Sequence, residues 1–404
     1  MEVATSMNAP GSGCNALSLR IIESINELEG MRDEWDKLLQ RVPTASIFST
    51  PEWLLPWFAA YGAGRQLFTI AFYDGSEGMI GLAPLTITLR RTAVGQVRVL
   101  QLLGDGSTDS DNLEVLAVPG REQQVISSLC DLLVREHRRW TIASFNTMPA
   151  NSPAYLELRM ELERRWWMAD IVSSPCCAIP LPAAWDTYLR QQSPKERKKI
   201  GYYLRRLEKH YRVRFFRCTQ PDDIEERLEQ LFALHSKRWH ERGQAGSFDI
   251  PERRTFYRLL SSTLIDRGWL EFWILELNEA PVAAQYAFRY RDCVYALQEG
   301  FDPAFNADSV GYVLRMRVLR DLIESGIKTY EFLADVTESK LRWGAVIGEY
   351  LFLTFARPLT LGGAYVQTCA INRRIKDYIR THAPRPVYDT LWRTCRLLYR
   401  KRGL

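Results

Sequence analysis

The stretch that decides the fold is residues 269–343, WLEFWILELNEAPVAAQYAFRYRDCVYALQEGFDPAFNADSVGYVLRMRVLRDLIESGIKTYEFLADVTESKLRW. Aromatic and branched residues fill three short runs that turn-forming pairs separate, and such runs are typical of strands. We predict these strands at Trp269–Leu277, Val282–Tyr290 and Cys293–Glu299.

A helix and a fourth strand are predicted after the three strands. Asp308 or Ser309 supplies the N-cap, Gly326 stops the helix, and Lys328–Leu333 has the pattern of a strand. The stretch therefore predicts an α/β unit.

The first half of the chain repeats this order of elements. The matching segments are predicted strands at Phe68–Tyr73 and Met79–Leu89, a helix at Glu122–His137 and a strand at Trp140–Phe145. A duplicated module is the economical interpretation, and chance similarity between α/β segments is the alternative. We expect an α/β fold with mixed sheets, divided into a disordered start (1–17), two modules (18–178 and 179–358) and a basic helical tail (359–404).

Composition limits the class of protein. The 404 residues are 46% hydrophobic and 25% charged, which suits a globular protein of two domains. The first residues lack the apolar core of a signal peptide, and no apolar run approaches the ~18 residues of a membrane span, so a cytoplasmic location is expected. None of the eight cysteines forms a CxxC pair, and we expect no metal site.

The positive charge lies mainly at the C-terminus. The net charge is +5, and residues 357–404 hold eleven Lys and Arg against two acids. Two amphipathic helices are predicted there, at about 363–381 and 387–401. Peripheral contact with a membrane is one use of such a tail.

A well-specified helix opens at Ser193-Pro194-Lys195-Glu196, which reads as a capping box. Its basic residues form a ridge opposite the apolar face: Lys195, Lys198, Lys199, Arg205, Arg206 and Lys209. Three uses fit the ridge, namely an anionic acceptor, a tRNA, or solubility alone. Lys198 and Arg205 are the candidate substrate-binding residues on it.

Several catalytic signatures are absent from the sequence. It has no GxSxG, GxxxxGK[ST], HExxH, GxGxxG or HxxxD motif. His235 and His240 are five residues apart, on different sides of a helix, which disfavours a two-His metal site. What remains is direct transfer between two substrates that the protein positions.

The start of the predicted helix is a candidate anion site. Its first amides, at Ser309, Val310, Gly311 and Tyr312, point outward with the positive end of the helix dipole. Many helices begin in this way, so an ordinary capped helix is the alternative.

The chain resembles the CelD/BcsL-type branch of the GNAT acyltransferase superfamily, which looks like two fused GNAT modules and is related in architecture to the FemAB aminoacyl transferases. The residues that carry the resemblance are Ser193-x-Lys-x-Arg197, Arg205-Arg206-Leu207-Glu208, His235-x-x-Arg238-Trp239, Gly300-Phe-Asp302, Ser309-x-Gly311 and Glu331-Phe-Leu with Lys340-x-x-Trp343. The resemblance covers about residues 20 to 356. One departure is the missing Gln/Arg-x-x-Gly-x-Gly/Ala phosphate loop, of which only Gly311 remains.

The resemblance implies an activity. Acyl-CoA would be a co-substrate, with no permanently bound cofactor, and the acyl group, expected to be acetyl, would pass to an amine on a sugar, nucleotide-sugar or polysaccharide precursor. Exopolysaccharide or cellulose synthesis is the implied pathway. Ser309, Val310, Gly311 and Tyr312 would hold the CoA.

The candidate general bases are Glu299, then Asp335 and Glu331. Glu299 ends the third strand among aromatic residues, where burial would raise its pKa, although a carboxylate that faces water fits equally well. Further candidate binding residues are Arg238, Trp239, Lys340 and Trp343, and Lys340 fits a surface position as well.

Two rival functions stay open. One is FemAB-like transfer from aminoacyl-tRNA, with the basic helix and tail as the RNA footprint, and no contact with DNA is expected. The other is a non-catalytic scaffold at a membrane synthase. The first module is expected to be structural, because its loop 103–111 is acidic and would repel a pyrophosphate, although Asp109 and Asp111 could face the acceptor across the module interface.

Overall fold

The computed structural model describes residues 17–382, except 93–94, 242 and 244–245. The strands are β1 Ser18–Ile22, β2 Arg65–Leu67, β3 Thr69–Asp74, β4 Gly78–Ala83, β5 Leu85–Thr92, β6 Gly95–Leu102, β7 Leu116–Ala117, β8 Ile142–Pro149, β9 Met168–Pro180, β10 Val213–Arg217, β11 Leu270–Leu277, β12 Ala280–Tyr290, β13 Cys293–Phe301, β14 Thr329–Ala334 and β15 Val346–Ala356. The α-helices are α1 Ile25–Gly30, α2 Arg32–Arg41, α3 Pro51–Tyr61, α4 Glu122–Arg135, α5 Pro153–Arg164, α6 Trp185–Gln191, α7 Pro194–His210, α8 Ile224–His240, α9 Pro251–Asp266, α10 Val310–Glu324, α11 Glu338–Leu341 and α12 Leu361–His382.

The strands form two mixed or antiparallel sheets. The smaller has the order β1-β3-β4-β7, and the larger has eleven strands in the order β10-β11-β12-β13-β14-β9-β15-β8-β6-β5-β2. The parallel pairs are β6 with β8 and β13 with β14. The expected α/β fold with mixed sheets is therefore observed.

The middle of the large sheet is built by strands from both halves of the chain. β9 pairs with β14 on one side and along its length with β15 on the other, and β15 also pairs with β8. The expected module boundary at 178/179 falls within β9. The division into two modules with these boundaries stays a prediction.

The elements of the decisive stretch match the prediction closely. β11, β12, β13, α10 and β14 follow in the predicted order, and Gly326 has a φ of 80° just after the helix, which only glycine adopts without strain. In the first half one prediction was wrong. Met79–Leu89 is two strands, because Pro84 separates β4 in the small sheet from β5 in the large one.

The two halves are also joined through side chains. Arg291, in the turn between β12 and β13, donates to the backbone carbonyls of Leu39, Val42, Pro43 and Ala45 at the end of α2. The Leu39 and Val42 carbonyls also accept from the Val42 and Ala45 amides, and Arg291 adds a second donor to each of them. The arginine therefore ties the turn of the second half to the segment that ends α2.

The C-terminal part begins with α12, which confirms the helix predicted at about 363–381. The helix predicted at 387–401 lies outside the described residues. Among the helices that the structure describes, none combines the length and the apolar character of a membrane span.

Candidate functional site

β13 and β14 separate and leave a slot between them. They pair in parallel only from Cys293 to Tyr295, opposite Thr329 to Glu331. β13 continues to Phe301 with β12 as its only partner strand among the described residues. The edge of β13 from Ala296 onward is thus open to an extended ligand, since an unpaired strand edge offers backbone donors and acceptors.

The turn after β14 keeps the slot open. Leu333 and Asp335 have φ values of 62° and 68°, a left-handed conformation that is strained for residues other than glycine. The Lys340 ammonium donates to the carbonyls of Phe332, Ala334 and Asp335 at 3.2, 2.7 and 2.7 Å. Because its three N–H donors are all used, Lys340 holds the turn, and burial lowers the pKa of its ammonium.

A cavity of about 320 Å³ lies where α10 begins. Its lining residues come from α7, α8, β13, α10 and the segment after α11: Glu196, Lys199, Arg238, Glu299, Phe301, Phe305, Asn306, Ser309, Val310, Gly311, Tyr312, Arg315, Ser339, Arg342 and Trp343. The predicted donor residues Ser309 to Tyr312 are therefore gathered on one side of it, with Arg238 and Trp343 close by.

The first turn of α10 presents free amides to this cavity. Ser309 is the N-cap in a left-handed conformation, and its carbonyl accepts from Tyr312 and Val313. Among the described residues the amides of Val310 and Gly311 have no acceptor. A Cβ at Gly311 would lie 3.2 Å from the Phe301 ring, so this glycine serves close packing against β13.

The preceding residue, Asp308, fixes the approach to the helix. Its carboxylate accepts from Arg206 Nε at 2.7 Å and from the Tyr211 hydroxyl at 3.0 Å. The bond from Arg206 holds the pKa of Asp308 below its usual range. Arg206, one of the ridge residues, is thereby a structural contact.

Two aromatic side chains, Tyr312 and Trp343, form an aromatic wall on another side of the cavity. The Tyr312 and Trp343 ring centroids are 4.5 Å apart, and the Tyr312 hydroxyl donates to Glu196 at 3.2 Å. Ser193 caps α7 as predicted, accepting from the Glu196 amide. The second bond of the predicted capping box is not formed, because the Glu196 carboxylate bonds Lys199 and Tyr312 instead.

The lining carries four basic and two acidic side chains. Lys199 pairs with Glu196 and Arg315 with Glu299, while Arg342 pairs with the exposed Glu338. The cavity therefore has a net positive charge and suits an anion.

Glu299, the first candidate base, forms a two-pronged ion pair with Arg315. Burial opposes the charge of Arg315, but Glu299 outweighs it and raises the pKa of the guanidinium. Glu299 is thus occupied as the counterion of Arg315, with a guanidinium donor on each of its two carboxylate oxygens.

Glu331 lies on the face of the large sheet that is turned away from α10. Its neighbours Tyr330 and Phe332 pack toward α10, so strand alternation turns Glu331 toward the first module. Burial raises the pKa of Glu331 to about 7, and the charge of Asp111 adds to the rise. Its Oε1 is buried without a hydrogen-bond partner among the described residues. A buried carboxylate of this pKa is suited to proton transfer near neutral pH.

Asp111 reaches this place from the first module. Its Oδ2 accepts from the Ala334 amide at 3.1 Å, and burial raises its pKa to about 6. The Tyr350 hydroxyl accepts from the side-chain amide of Asn112, the residue after Asp111, at 3.0 Å. Burial raises the pKa of this hydroxyl, and the charges of Glu331 and Asp111 add to the rise. Two carboxylates and a phenol thus meet between the modules.

The aspartates of the acidic loop in the first module are not presented to solvent. Asp105, Asp109 and Asp111 are buried. Asp109 pairs with the buried Arg253 and accepts from the Tyr61 hydroxyl at 3.0 Å. Of the two aspartates expected at the interface, Asp109 is thus enclosed by its partners and Asp111 lies beside Glu331.

The remaining predicted site residues lie outside the lining of the cavity. Asp335 is exposed in the strained turn, and Lys198 and Arg205 are exposed on α7, outside the lining of the cavity. The Trp239 indole donates to His235 Nε2 at 2.8 Å. Burial lowers the pKa of His235 to about 4, so its ring is a neutral core group.

Sequence reasoning missed Glu196, Arg315 and Arg342. Glu196 was recognised only as a capping residue, and Arg315 lies one turn after Gly311 on the cavity side of α10. That helical spacing from Gly311 is a signal that could have found Arg315. Among the described residues no cluster of His, Cys, Asp and Glu could hold a metal ion.

Comparison with known proteins adds a family match. Residues 194–341, which span α7 to α11 and all of the cavity lining except Arg342 and Trp343, match the model of an acetyltransferase (GNAT) domain. No curated protein sequence matches the chain.

Several solved structures are similar in fold. FemX superposes with a TM-score of 0.59 at 11% identity, over 83% of this chain and 98% of its own. A conserved protein of unknown function from Bacteroides thetaiotaomicron VPI-5482 gives 0.51 at 12% identity, over 84% and 100%. A tandem GNAT protein from the clavulanic acid biosynthesis pathway gives 0.45 at 13% identity, over 84% and 98%.

The fold is therefore a mixed α/β fold similar to that of FemX, and one segment of it is similar to a GNAT acetyltransferase domain. The matched segment, together with that fold, supports an acyltransferase enzyme. The narrower CelD/BcsL assignment stays a prediction.

Proposed function

We propose that the chain is an acyl-CoA-dependent N-acyltransferase. The observation that carries the proposal is the slot between β13 and β14 next to a positively charged cavity at the start of α10. The extended pantetheine arm of an acyl-CoA needs a free strand edge, and the phosphates of CoA need amides and cations. In this chain the free edge of β13 lies next to the cationic cavity.

On the donor side, the phosphates would be held by the free amides of Val310 and Gly311 and by Arg342 and Lys199. Helix dipole and guanidinium both favour a phosphate at this place. The pantetheine arm would lie along the open edge of β13 from Ala296 to Phe301, with the Tyr312–Trp343 wall beside it.

On the acceptor side, Glu331 is our choice of general base. The amine nitrogen forms the new C–N bond while the thioester C–S bond breaks, and its proton passes to Glu331. The sulfur leaves as the thiolate of CoA. Glu331 ranks above Glu299, which Arg315 occupies, and above Asp335, which is exposed.

The acceptor is proposed to be an amine on a sugar, nucleotide-sugar or polysaccharide precursor, with acetyl as the acyl group. The support for this class is the family resemblance. The exposed basic residues of α7, Lys198 and Arg205, would meet an anionic acceptor outside the cavity, and a cytoplasmic location goes with this proposal.

A second candidate is transfer from an aminoacyl-tRNA. One observation favours it: the donor cavity adjoins a further cavity of about 520 Å³ that shares Glu196, Lys199 and Arg342 with it and adds Lys195. A polyanion longer than CoA could follow this basic path. The fold similarity to FemX fits this candidate as well.

Thermal unfolding of the full-length protein with acetyl-CoA, longer acyl-CoAs, CoA and tRNA tests the proposal. A ligand at a hundred times its dissociation constant adds about 2.7 kcal/mol to the free energy of unfolding. Acyl-CoA should raise the Tm, and Arg342→Ala should weaken that effect. Lys37→Ala, an exposed lysine of the first module, is the matched control.

Each outcome has a meaning. Stabilisation by tRNA but by no acyl-CoA would replace the proposal with the second candidate. No stabilisation by any of these ligands would leave a non-catalytic scaffold and would overturn the proposed activity.

A further inference from the structure

One end of the large sheet carries large apolar side chains that face solvent. Trp166 is 80% exposed, Leu361 76% and Leu89 61%, and Leu359 is fully exposed. Trp166 and Leu359 also have a φ of 55°, so both stand in tight turns. Single exposed apolar side chains are common, but several of them gathered on one surface among polar residues mark an interaction site.

These side chains lie along one rim. β9 begins at Met168 and β15 ends at the paired Ala356, so Trp166 and Leu359 leave the sheet at the same end. A Cβ at Gly362 would lie 2.0 Å from the Thr141 carbonyl, which places the start of α12 against the strand entry of β8.

The rim continues to β5. The Thr141 amide donates to the Arg98 carbonyl at 2.8 Å, and Arg98 is opposite Leu89 in the β5–β6 pair. The five neighbouring strands β9, β15, β8, β6 and β5 therefore line up these groups over roughly 20 Å, given ~4.8 Å between strands. We call this surface the strand-end rim: Leu89, Trp166, Leu359 and Leu361 with Arg90, Arg91, Arg98 and Arg138.

The four arginines of the rim are exposed, and none of them has an ion-pair partner among the residues that the structure describes. Most other arginines do pair, as Arg139 does with Glu23 close to the rim. No acid occurs between Glu77 and Asp105, the segment that supplies three of the four. Glu163, an exposed acid near Trp166, is paired with Arg159.

We propose that the strand-end rim binds the surface of an anionic lipid bilayer, with Trp166, Leu359 and Leu361 entering the headgroup region and the arginines contacting lipid phosphates. Amphipathic aromatic and aliphatic side chains next to unpaired basic ones are the combination that such an interface selects. Trp166 and Leu359 protrude from tight turns at the ends of strands, which suits insertion into a deformable surface.

Co-sedimentation of the full-length protein with sucrose-loaded vesicles tests this inference. Vesicles of phosphatidylcholine with about 30% phosphatidylglycerol should bind the protein at least about ten-fold more tightly than phosphatidylcholine alone. The binding should weaken at roughly 1 M NaCl, where the Debye length is about 3 Å.

Rim variants locate the surface. The double change Trp166→Ser with Leu359→Ser and the double change Arg90→Glu with Arg91→Glu should each reduce binding about ten-fold or more, with Tm unchanged because the side chains are exposed. Ile250→Ser, an exposed isoleucine at the start of α9, should bind like the parent.

Several results would overturn the inference. Equal binding to neutral and anionic vesicles would show that the rim does not recognise anionic lipid. Undiminished binding by both rim variants would show that the rim is not the membrane-binding surface and would point to the basic tail. A change of oligomeric state in the Trp166→Ser, Leu359→Ser variant without lipid, measured by light scattering, would make the rim an interface between copies. Because acyl-CoA binding is measured separately, the failure of this inference leaves the proposed activity untouched.

Discussion

The Asp111 carboxylate of the first module accepts a hydrogen bond from the Ala334 amide at 3.1 Å, in the strained turn that ends β14. Lys340 holds the same turn from its carbonyl side. The geometry of the slot thus depends on a residue more than two hundred positions away in the sequence.

Asp111→Ala should therefore lower both stability and turnover. The Ala334 amide would lose its carboxylate acceptor, and a hydrogen bond to a charged group is worth about 1.5–3 kcal/mol in the free energy of unfolding. Asp111→Asn keeps an acceptor and should retain most of that stability. Urea unfolding and steady-state kinetics of the two variants check this, and equal losses in both would show that charge, not the hydrogen bond, is what matters.

Glu331→Gln should reduce kcat by about 10²–10⁴-fold while the affinity for acyl-CoA stays close to that of the parent. In the parent, kcat/KM should rise with pH through about 7, because only the ionised carboxylate accepts a proton. This pH-dependent rise reports the coupled titration of Glu331 and Asp111. Asp111→Asn should move the rise to lower pH, because it removes a negative charge next to Glu331. An unchanged pH profile in the Glu331→Gln variant would exclude it as the base.

The ion pair of Glu299 and Arg315 should be structural. Glu299→Ala leaves the part-buried guanidinium without its counterion, which costs about 1–3 kcal/mol in the free energy of unfolding. Glu338→Ala removes the exposed partner of Arg342 and is the matched control, with no measurable change expected. Urea unfolding compares the two, and a fully stable Glu299→Ala variant that has lost activity would return Glu299 to the list of bases.

Local patterns predicted the elements well, because the residues that specify them are adjacent in sequence. The strands and helix of residues 269–334 follow from alternation, turn pairs and the Gly326 stop. The sharing of one sheet through β9 and β15 did not follow, since strand order depends on pairing between distant segments.

In the candidate site, too, local features could be predicted from sequence and contacts between distant segments could not. Ser309 to Tyr312 and Trp343 could be proposed from sequence because a helix start and its closing loop are local features; they line one cavity, and their role stays a prediction. The choice among carboxylates was not settled by sequence, because the neighbours that set their properties, Arg315 for Glu299 and Asp111 for Glu331, become adjacent only in the fold.

Glu114 offers a test of burial in the first module. It is buried, accepts from the Ser152 hydroxyl at 3.0 Å, and burial raises its pKa to about 7. The folded state therefore holds a proton that the unfolded state releases above its ordinary pKa, so stability falls as pH rises from about 4.5 to about 7. At ~1.4 kcal/mol per pH unit the loss amounts to roughly 3 kcal/mol.

Glu114→Gln removes this titration and keeps an acceptor for Ser152. The variant should match the parent near pH 5 and be more stable than the parent near pH 8 in urea unfolding, because only the parent must then bury a charge or hold a proton. Glu29→Gln, an exposed carboxylate of α1, should show no such pH-dependent difference. If Glu114→Gln were less stable than the parent at both pH values by the same amount, the carboxyl group would not titrate in the fold over this range.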